Sequence, residues 1–335
     1  MVYHNQINVL FTSVGRRVEL LRAFRKAYQQ LDLEGNIVAV DIDPLAPALQ
    51  VADCPYLVPC LTDAAYISTL KEICRREKVD LVFPLIDPDI PVLAQHRAIL
   101  EATGARLAVV SSAAAALAND KWQTTHFFRQ LGLPTAHAWL PHELEATQVQ
   151  YPLFIKPRGG SAAKHTYTIH SADELAFFSR YVPDPVIEEF LPGPEITSDV
   201  VTWLDGRVLG VVSRQRIEVR WGEVAKGKTI YDAQIISACV KIAEALPAVG
   251  PFTVQCIFKE GIPHFTEINA RFGGGAPLGV WAGVDSPRWL LALAADIPVE
   301  IPPLGEYQTN LYLTRFDDSF VLSEKDIETV RGSHL

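Results

Sequence analysis

The chain has no run of about 18 apolar residues, the length a helix needs to cross a hydrocarbon core. Its start, MVYHNQINVLFTS, lacks the basic stretch and long apolar core of a secretory leader. Neither membrane spanning nor export is expected, and the expected location is the cytoplasm. An excess of positive charge is also missing: the net charge of -9 argues against a general nucleic-acid binder, which needs a basic face to neutralise phosphates. The five cysteines, Cys54, Cys60, Cys74, Cys239 and Cys256, form no CxxC pair, and an odd count suits reduced thiols acting as buried small hydrophobes. Nine histidines in no HExxH-like spacing give no zinc ligand set. A small-molecule partner is what these exclusions leave. At 335 residues, 49% hydrophobic and 21% charged, the composition is globular rather than disordered and the length allows two domains.

Segments with strand and helix periodicity alternate over roughly the first 110 residues. INVLFTS, NIVAVDID, DLVFPLI and ARLAVV read as buried strands. RRVELLRAFRKAYQQL, DAAYISTLKEICRREK and DIPVLAQHRAIL read as the helices between them. That alternation predicts a doubly wound parallel sheet, an α/β fold. A single helix, SSAAAALANDKWQTTHFFRQLG, follows, and beyond Tyr151 the pattern becomes strands joined by tight turns, which puts a domain boundary near Asn119. Ser171 and Glu174 have capping-box spacing at the start of a helix, and Asp205-Gly206 is a hairpin signal.

Two familiar nucleotide motifs are absent. The first strand-to-helix turn reads SVGRR, one glycine where a dinucleotide fingerprint has three, so NAD binding is not expected. Arg16 and Arg17 there could hold an anion or form a solvated face. Asp87 and Asp89 in PLIDPDIP read as helix-capping acids near a cleft. The loop of Gly159, Gly160 and Ser161 lies between two strands and is therefore no P-loop, yet its N-H groups could cover phosphates, with Lys156 as a point charge. A plain hairpin turn fits it equally.

FTEINARFGGG, Phe265 to Gly275, is more particular. On a strand Glu267, Asn269 and Arg271 share one face and Ile268 and Ala270 the other. If GPFTVQCIFKEGIPHFTEINAR is a hairpin with a three-residue loop at 260 to 262, Gln255 faces Glu267. Such an oxygen-rich cluster without sulfur or imidazole suits Mg2+ shared with phosphates.

With these residues in view the chain resembles an ATP-grasp enzyme, specifically single-chain proteins similar to the carbamoyl-phosphate synthase large subunit. The resemblance runs from NVLFTSVGRR through NDKWQT, LFIKPRGGS, VIEEFLPGPE and VQCIF to TEINARFGGG. It implies a Rossmann-like pre-ATP-grasp domain at 1-119, then an α+β ATP-grasp domain with a small lobe at 120-190 and a large lobe at 191-330. Carried over, the nucleotide lysines are Lys121 and Lys156, and the phosphate-covering loop is Gly159 to Ala163. Glu188, Glu189 and the Leu191 backbone would meet adenine, and Glu195 the ribose. Gln255, Glu267 and Asn269 would hold Mg2+ (or Mn2+), and Arg271 would steady the transferred phosphoryl group. The implied activity is an ADP-producing ligase that activates a small carboxylate as an acyl phosphate and joins it to an amine. Gly273 and Gly274 would leave room and N-H donors for an oxyanion. Where related ligases place a carboxylate, Gln255 removes one negative charge.

In SRQRIEVRWGEVAKGK, Arg214, Arg216, Glu218 and Arg220 alternate onto one strand face, and Lys226 and Lys228 follow in what reads as a flexible loop. This stripe is expected either to bind a carboxylate-bearing substrate such as an amino acid or to be solvated. A kinase-like enzyme of carbamoyl-phosphate synthase type and a non-catalytic ATP-binding module are the alternatives. Family resemblance suggests a homodimer, and RGSHL at 331-335 resembles a tag remnant, set apart from fold reasoning.

Overall fold

The computed structural model describes residues 6-144, 149-160, 164-220 and 222-332. Five parallel strands, β1 (Val9–Thr12), β2 (Ile37–Asp41), β3 (Cys54–Leu57), β4 (Leu81–Pro84) and β5 (Arg106–Leu107), form one sheet in the order β3-β2-β1-β4-β5. Both faces of β1, β2 and β4 are buried, which explains their unbroken apolar sequence. The helices are α1 (Val18–Leu31), α2 (Tyr66–Arg76), α3 (Asp89–Gln95) and α4 (Arg97–Glu101). The strand order reverses between β1 and β4, so a crevice opens at their carboxyl ends. β3 had no signal in the sequence: CPYL is short and lies at the sheet edge.

The helix predicted over SSAAAALANDKWQTTHFFRQLG is two helices, α5 (Ser112–Asn119) and α6 (Lys121–Gln130). Asp120 breaks it by leaving helical geometry and capping α6, its carboxylate accepting from the N-H groups of Trp122 (3.0 Å) and Gln123 (3.2 Å). An antiparallel sheet of β6 (Ala138–Trp139), β7 (Leu153–Pro157), β8 (Tyr167–Ile169) and β9 (Pro185–Glu189) follows, with α7 (Ala172–Tyr181) against it. At the start of α7 Ser171 Oγ accepts from the Glu174 N-H at 3.2 Å, while the Glu174 carboxylate reaches back to the N-H of His170.

The third sheet is antiparallel: β10 (Glu195–Thr202), β11 (Val208–Arg220), β12 (Glu223–Ile230), β13 (Pro251–Lys259), β14 (Ile262–Asn269) and β15 (Tyr312–Thr314), in the order β14-β13-β10-β11-β12-β15. Helix α8 (Ala233–Ala245) packs on β10 and β11, whereas α9 (Ala276–Trp281) and α10 (Ser286–Ala294) pack on α1, and α11 (Glu324–Gly332) returns to β3. One apolar core therefore joins the first sheet to residues after β14. Phe272 stands edge-on to Phe24 of α1 (ring centroids 6.0 Å apart) and tilted to Phe83 of β4 (5.6 Å).

Three local expectations are corrected. The β13–β14 turn has two residues, Glu260-Gly261, both with positive φ, and a register shift at Thr266 then brings Glu267 opposite Gln255 after all. Lys226 and Lys228 belong to β12, not to a loop. Arg214, Arg216, Glu218 and Arg220 do not share a face, because β11 shifts register on both sides of Glu218 and turns Arg220 outward. Of the cysteines, Cys74, Cys239 and Cys256 are buried, Cys54 is half-buried and Cys60 is exposed. No helix among the described residues is long and apolar enough to cross a membrane.

Candidate functional site

The sheet of β6–β9 and the sheet of β10–β15 face each other across a cleft of about 740 Å3. Gln255 and Glu267 form its floor from adjacent strands, with Asn269 one pleat further along. Among the described residues Glu267 has no ion pair. Burial, the largest influence, pushes its carboxyl above the ordinary range, against the pull of Lys121 and Lys156. With its amide nitrogen turned toward them, Gln255 donates to Glu195 Oε1 (3.0 Å) and Glu267 Oε2 (3.3 Å).

Two lysines enter the cleft from the other side. Lys121, at the start of α6, donates to the carbonyl of Gly160 (2.7 Å), and burial lowers its pKa. Lys156 on β7 pairs with Glu188 on the adjacent β9 at 2.7 Å, both buried. Glu189 accepts from Lys259 and Glu195 from Arg216, at 2.7 and 2.5 Å. These carboxylates, expected to face a nucleoside, are thus already engaged by cations, though Glu188, Glu189, Leu191 and Glu195 all line the cleft. Gly159 and Gly160 line it too. Ser161 and the rest of the expected loop through Ala163 lie outside the described residues.

A second cavity, of about 210 Å3, adjoins the first at the carboxyl ends of β1 and β4. Arg216, Gln255 and Arg271 line both spaces. Arg271 Nη2 donates to Asp87 Oδ2 (2.9 Å) and Asn269 Oδ1 (3.2 Å), so the first sheet positions this guanidinium. Neither Asp87 nor Asp89 makes a side-chain cap: Asp87 holds Arg271, and Asp89, the buried first residue of α3, accepts from Thr12 Oγ1 and Ser13 Oγ. Burial raises the Asp89 carboxyl to about 6.

The glycines after Arg271 allow a close approach of arginine side chains to the backbone. A Cβ on Gly273 or Gly275 would collide with the buried Asp199–Arg214 pair, and one on Gly274 would meet Arg17 Nη1 at 2.8 Å. Arginine side chains therefore pack against the Cα atoms of these glycines, whose backbone also lines the cavity. Arg214 is matched by Asp199 at 2.7 Å, a partner no local pattern announced. Arg220, Lys226 and Lys228 line neither cavity, and Arg220 and Lys226 converge on Glu218 in solvent. Arg16 is exposed whereas Arg17 turns inward, toward Glu223. Glu223 and Arg315 were missed in the sequence, since only the folded chain places them beside Arg17 and Glu19.

Two families match. One described as "PylC-like, N-terminal domain" covers residues 9-108, and one described as "ATP-grasp in the biosynthetic pathway with Ter operon" covers residues 181-314. Among curated proteins, a phosphoribosylamine-glycine ligase of Synechocystis sp. is 27% identical over 166 residues, 47% of this chain and 39% of that protein. A carbamoyl-phosphate synthase of Methanobrevibacter smithii is 26% identical over 174 residues, 50% of this chain and 44% of that protein. The chain thus spans less than half the length of these two relatives. Among solved structures, the biotin carboxylase domain of Hydrogenobacter thermophilus 2-oxoglutarate carboxylase superimposes with a TM-score of 0.70 at 18% identity, covering 91% of this chain and 73% of that one. A parallel N-terminal sheet that matches a PylC-like domain is thus followed by two antiparallel sheets enclosing a lysine- and carboxylate-lined cleft, and residues 181-314 of that second part match an ATP-grasp family.

Proposed function

We propose that the protein is an ATP-dependent carboxylate-amine ligase that releases ADP and phosphate. One observation carries the reading: Lys121, Lys156, Glu267, Asn269 and Arg271, from separate parts of the chain, line one cleft of about 740 Å3, within the range of nucleotide-sized sites. Its matched phosphoribosylamine-glycine relative is named as a ligase, and the superimposed carboxylase domain as a complex with MgADP.

Each residue has a role under this reading. Lys121 and Lys156 attract the phosphates, with Gly159 and Gly160 covering them. Glu188, Glu189, Leu191 and Glu195 border the nucleoside. Glu267 fits a cation, being a half-buried carboxylate with a raised pKa and no ion pair among the described residues. Glu267 and Asn269 would hold Mg2+, joined by Gln255 once its amide turns its oxygen inward. The metal supplies charge neutralisation on the phosphates. Arg271, held by Asp87, offers its guanidinium where charge accumulates during phosphoryl transfer. The ranges 1-119, 120-190 and 191-330 are proposed as its domains, and a homodimer as the assembly, which sedimentation tests.

The test is release of ADP and phosphate from ATP and Mg2+ across amino acids and small carboxylates, singly and in pairs, with Glu267→Ala as the blank. Release that requires one pair, with a product mass equal to their condensation, establishes the ligase. Release with one carboxylate alone assigns a kinase-like activity, and ATP binding without release assigns a binding module.

A further inference from the structure

The smaller cavity has an end that the ligase reading leaves unused. Its 210 Å3 equals about seven waters at roughly 30 Å3 each, enough for a molecule of a few carbons and too little for a nucleotide. The near end is Arg271, shared with the nucleotide cleft. At the other end Arg17, a largely buried side chain, makes only long contacts among the described residues: Nη1 to Glu223 Oε1 at 3.4 Å and Nη2 to the Leu85 carbonyl at 3.5 Å. Glu223 is moreover divided between Arg17 and Arg315, the latter at 3.3 Å. Arg214 and Arg216 differ, each having a carboxylate of its own at 2.7 and 2.5 Å.

Arg17 is therefore a desolvated cation with half a counter-ion. Burial, more than any neighbour, lowers its pKa to about 10. Against it runs the backbone of Gly273 to Gly275, and glycine at 274 is what allows the guanidinium to lie so close. Among the described residues the N-H groups of Gly274 and Gly275 have no acceptor. A guanidinium beside unpaired N-H donors, lining a small cavity, is a receptor for a carboxylate.

We propose that Arg17 and the Gly273–Gly275 backbone anchor a carboxylate that does not react, so that one substrate of this ligase is a small molecule with an anionic group besides its reacting group at Arg271. The proposal rests on the ligase reading. In that reaction a carboxylate oxygen attacks the γ-phosphorus as its bond to ADP breaks. The amine nitrogen then attacks the carbonyl carbon, phosphate leaves with the C–O electron pair, and the nitrogen gives up a proton. The anchored carboxylate is untouched throughout. It comes from one of two sources: the second carboxylate of a dicarboxylic acid, or the carboxylate of an amino acid serving as the amine.

The experiment uses the full chain with ATP and Mg2+, as wild type, Arg17→Met and Arg17→Lys. In one arm hydroxylamine replaces the amine, and hydroxamate is measured from malonate, succinate, aspartate and glutamate against their half-amides. In the other, glycine and alanine are compared as amines with their amides. The wild type is expected to favour the anionic member of one series by about 10- to 100-fold in kcat/KM. Arg17→Met is expected to abolish that preference with KM for ATP unchanged, and Arg17→Lys to keep part of it. The series that responds identifies the source. No preference in the wild type, or one that survives Arg17→Met, overturns the anchor while turnover keeps the ligase reading. If no product forms, the ligase reading fails by itself, and the anchor is judged from melting temperature. Stabilisation by succinate or glycine in the wild type and not in Arg17→Met supports it, and equal response overturns it. Melting of the unliganded variants confirms that they fold.

Discussion

Phe272→Ala tests whether the core of the first sheet positions Arg271. Phe272 is only 2% exposed and touches the rings of Phe24 and Phe83. Removing a buried phenyl ring costs about 3–5 kcal/mol, through lost transfer energy and the cavity left behind. At roughly 2–4 °C per kcal/mol for domains somewhat smaller than this chain, melting should fall by about 6–20 °C. The site should feel the change as well. Arg271 Nη1 donates to the Phe272 carbonyl at 3.2 Å, so a loosened backbone there frees the guanidinium from one of its contacts. A misplacement near 1 Å can cost about 100-fold in rate, and kcat should drop by about 10- to 100-fold while ATP binding is kept. Phe272→Leu, which refills most of the volume, should recover most of both losses. Thermal melts and phosphate release on the three proteins give the comparison. Melting of Phe272→Ala within about 2 °C of wild type, with turnover unchanged, would refute the reasoning.

Further outcomes follow from the same geometry. Arg271→Ala should bind ATP normally, by equilibrium titration, and lose about 100- to 1,000-fold in turnover, since its charge is needed as the phosphoryl group moves; equal loss of both would remove that role. Asp89 has a carboxyl raised from 3.8 to about 6, so the folded state holds its proton more tightly than the unfolded state does. Its contribution to stability is therefore present at low pH and declines as pH rises from about 4 to 6, by up to about 3 kcal/mol. Denaturant melts of Asp89→Asn should lack that decline, and a slope matching wild type would contradict the assignment. Glu267 is also raised by burial, so Mg2+ should displace a proton and bind more tightly as pH rises past the ordinary carboxylate range. Calorimetry on Glu267→Gln should show weaker binding with no pH dependence.

What the sequence determined by itself was local. Apolar runs such as VLFT and IVAVD marked strands of a parallel sheet because both their faces are buried. The alternation of Glu267 and Asn269 placed two oxygen ligands on one face because strand side chains repeat every two residues. The Ser171–Glu174 spacing marked a helix start because a hydroxyl and a carboxylate there reach free N-H groups. Tertiary structure decided whatever depended on distant residues or on a break in periodicity. A register shift at Thr266, with no signature of its own, corrected a two-residue turn so that Gln255 still met Glu267. Shifts around Glu218 sent Arg214 inward and Arg220 outward although their spacing was even. Asp87 appeared to be a cap until the fold set it against Arg271, 184 residues away, and Arg17 appeared interchangeable with Arg16 until Glu223 and Gly274 enclosed it. Periodicity fixes which side of an element a residue faces. Which charges then share a cavity depends on how sheets far apart in the chain come together, and no local pattern encodes that.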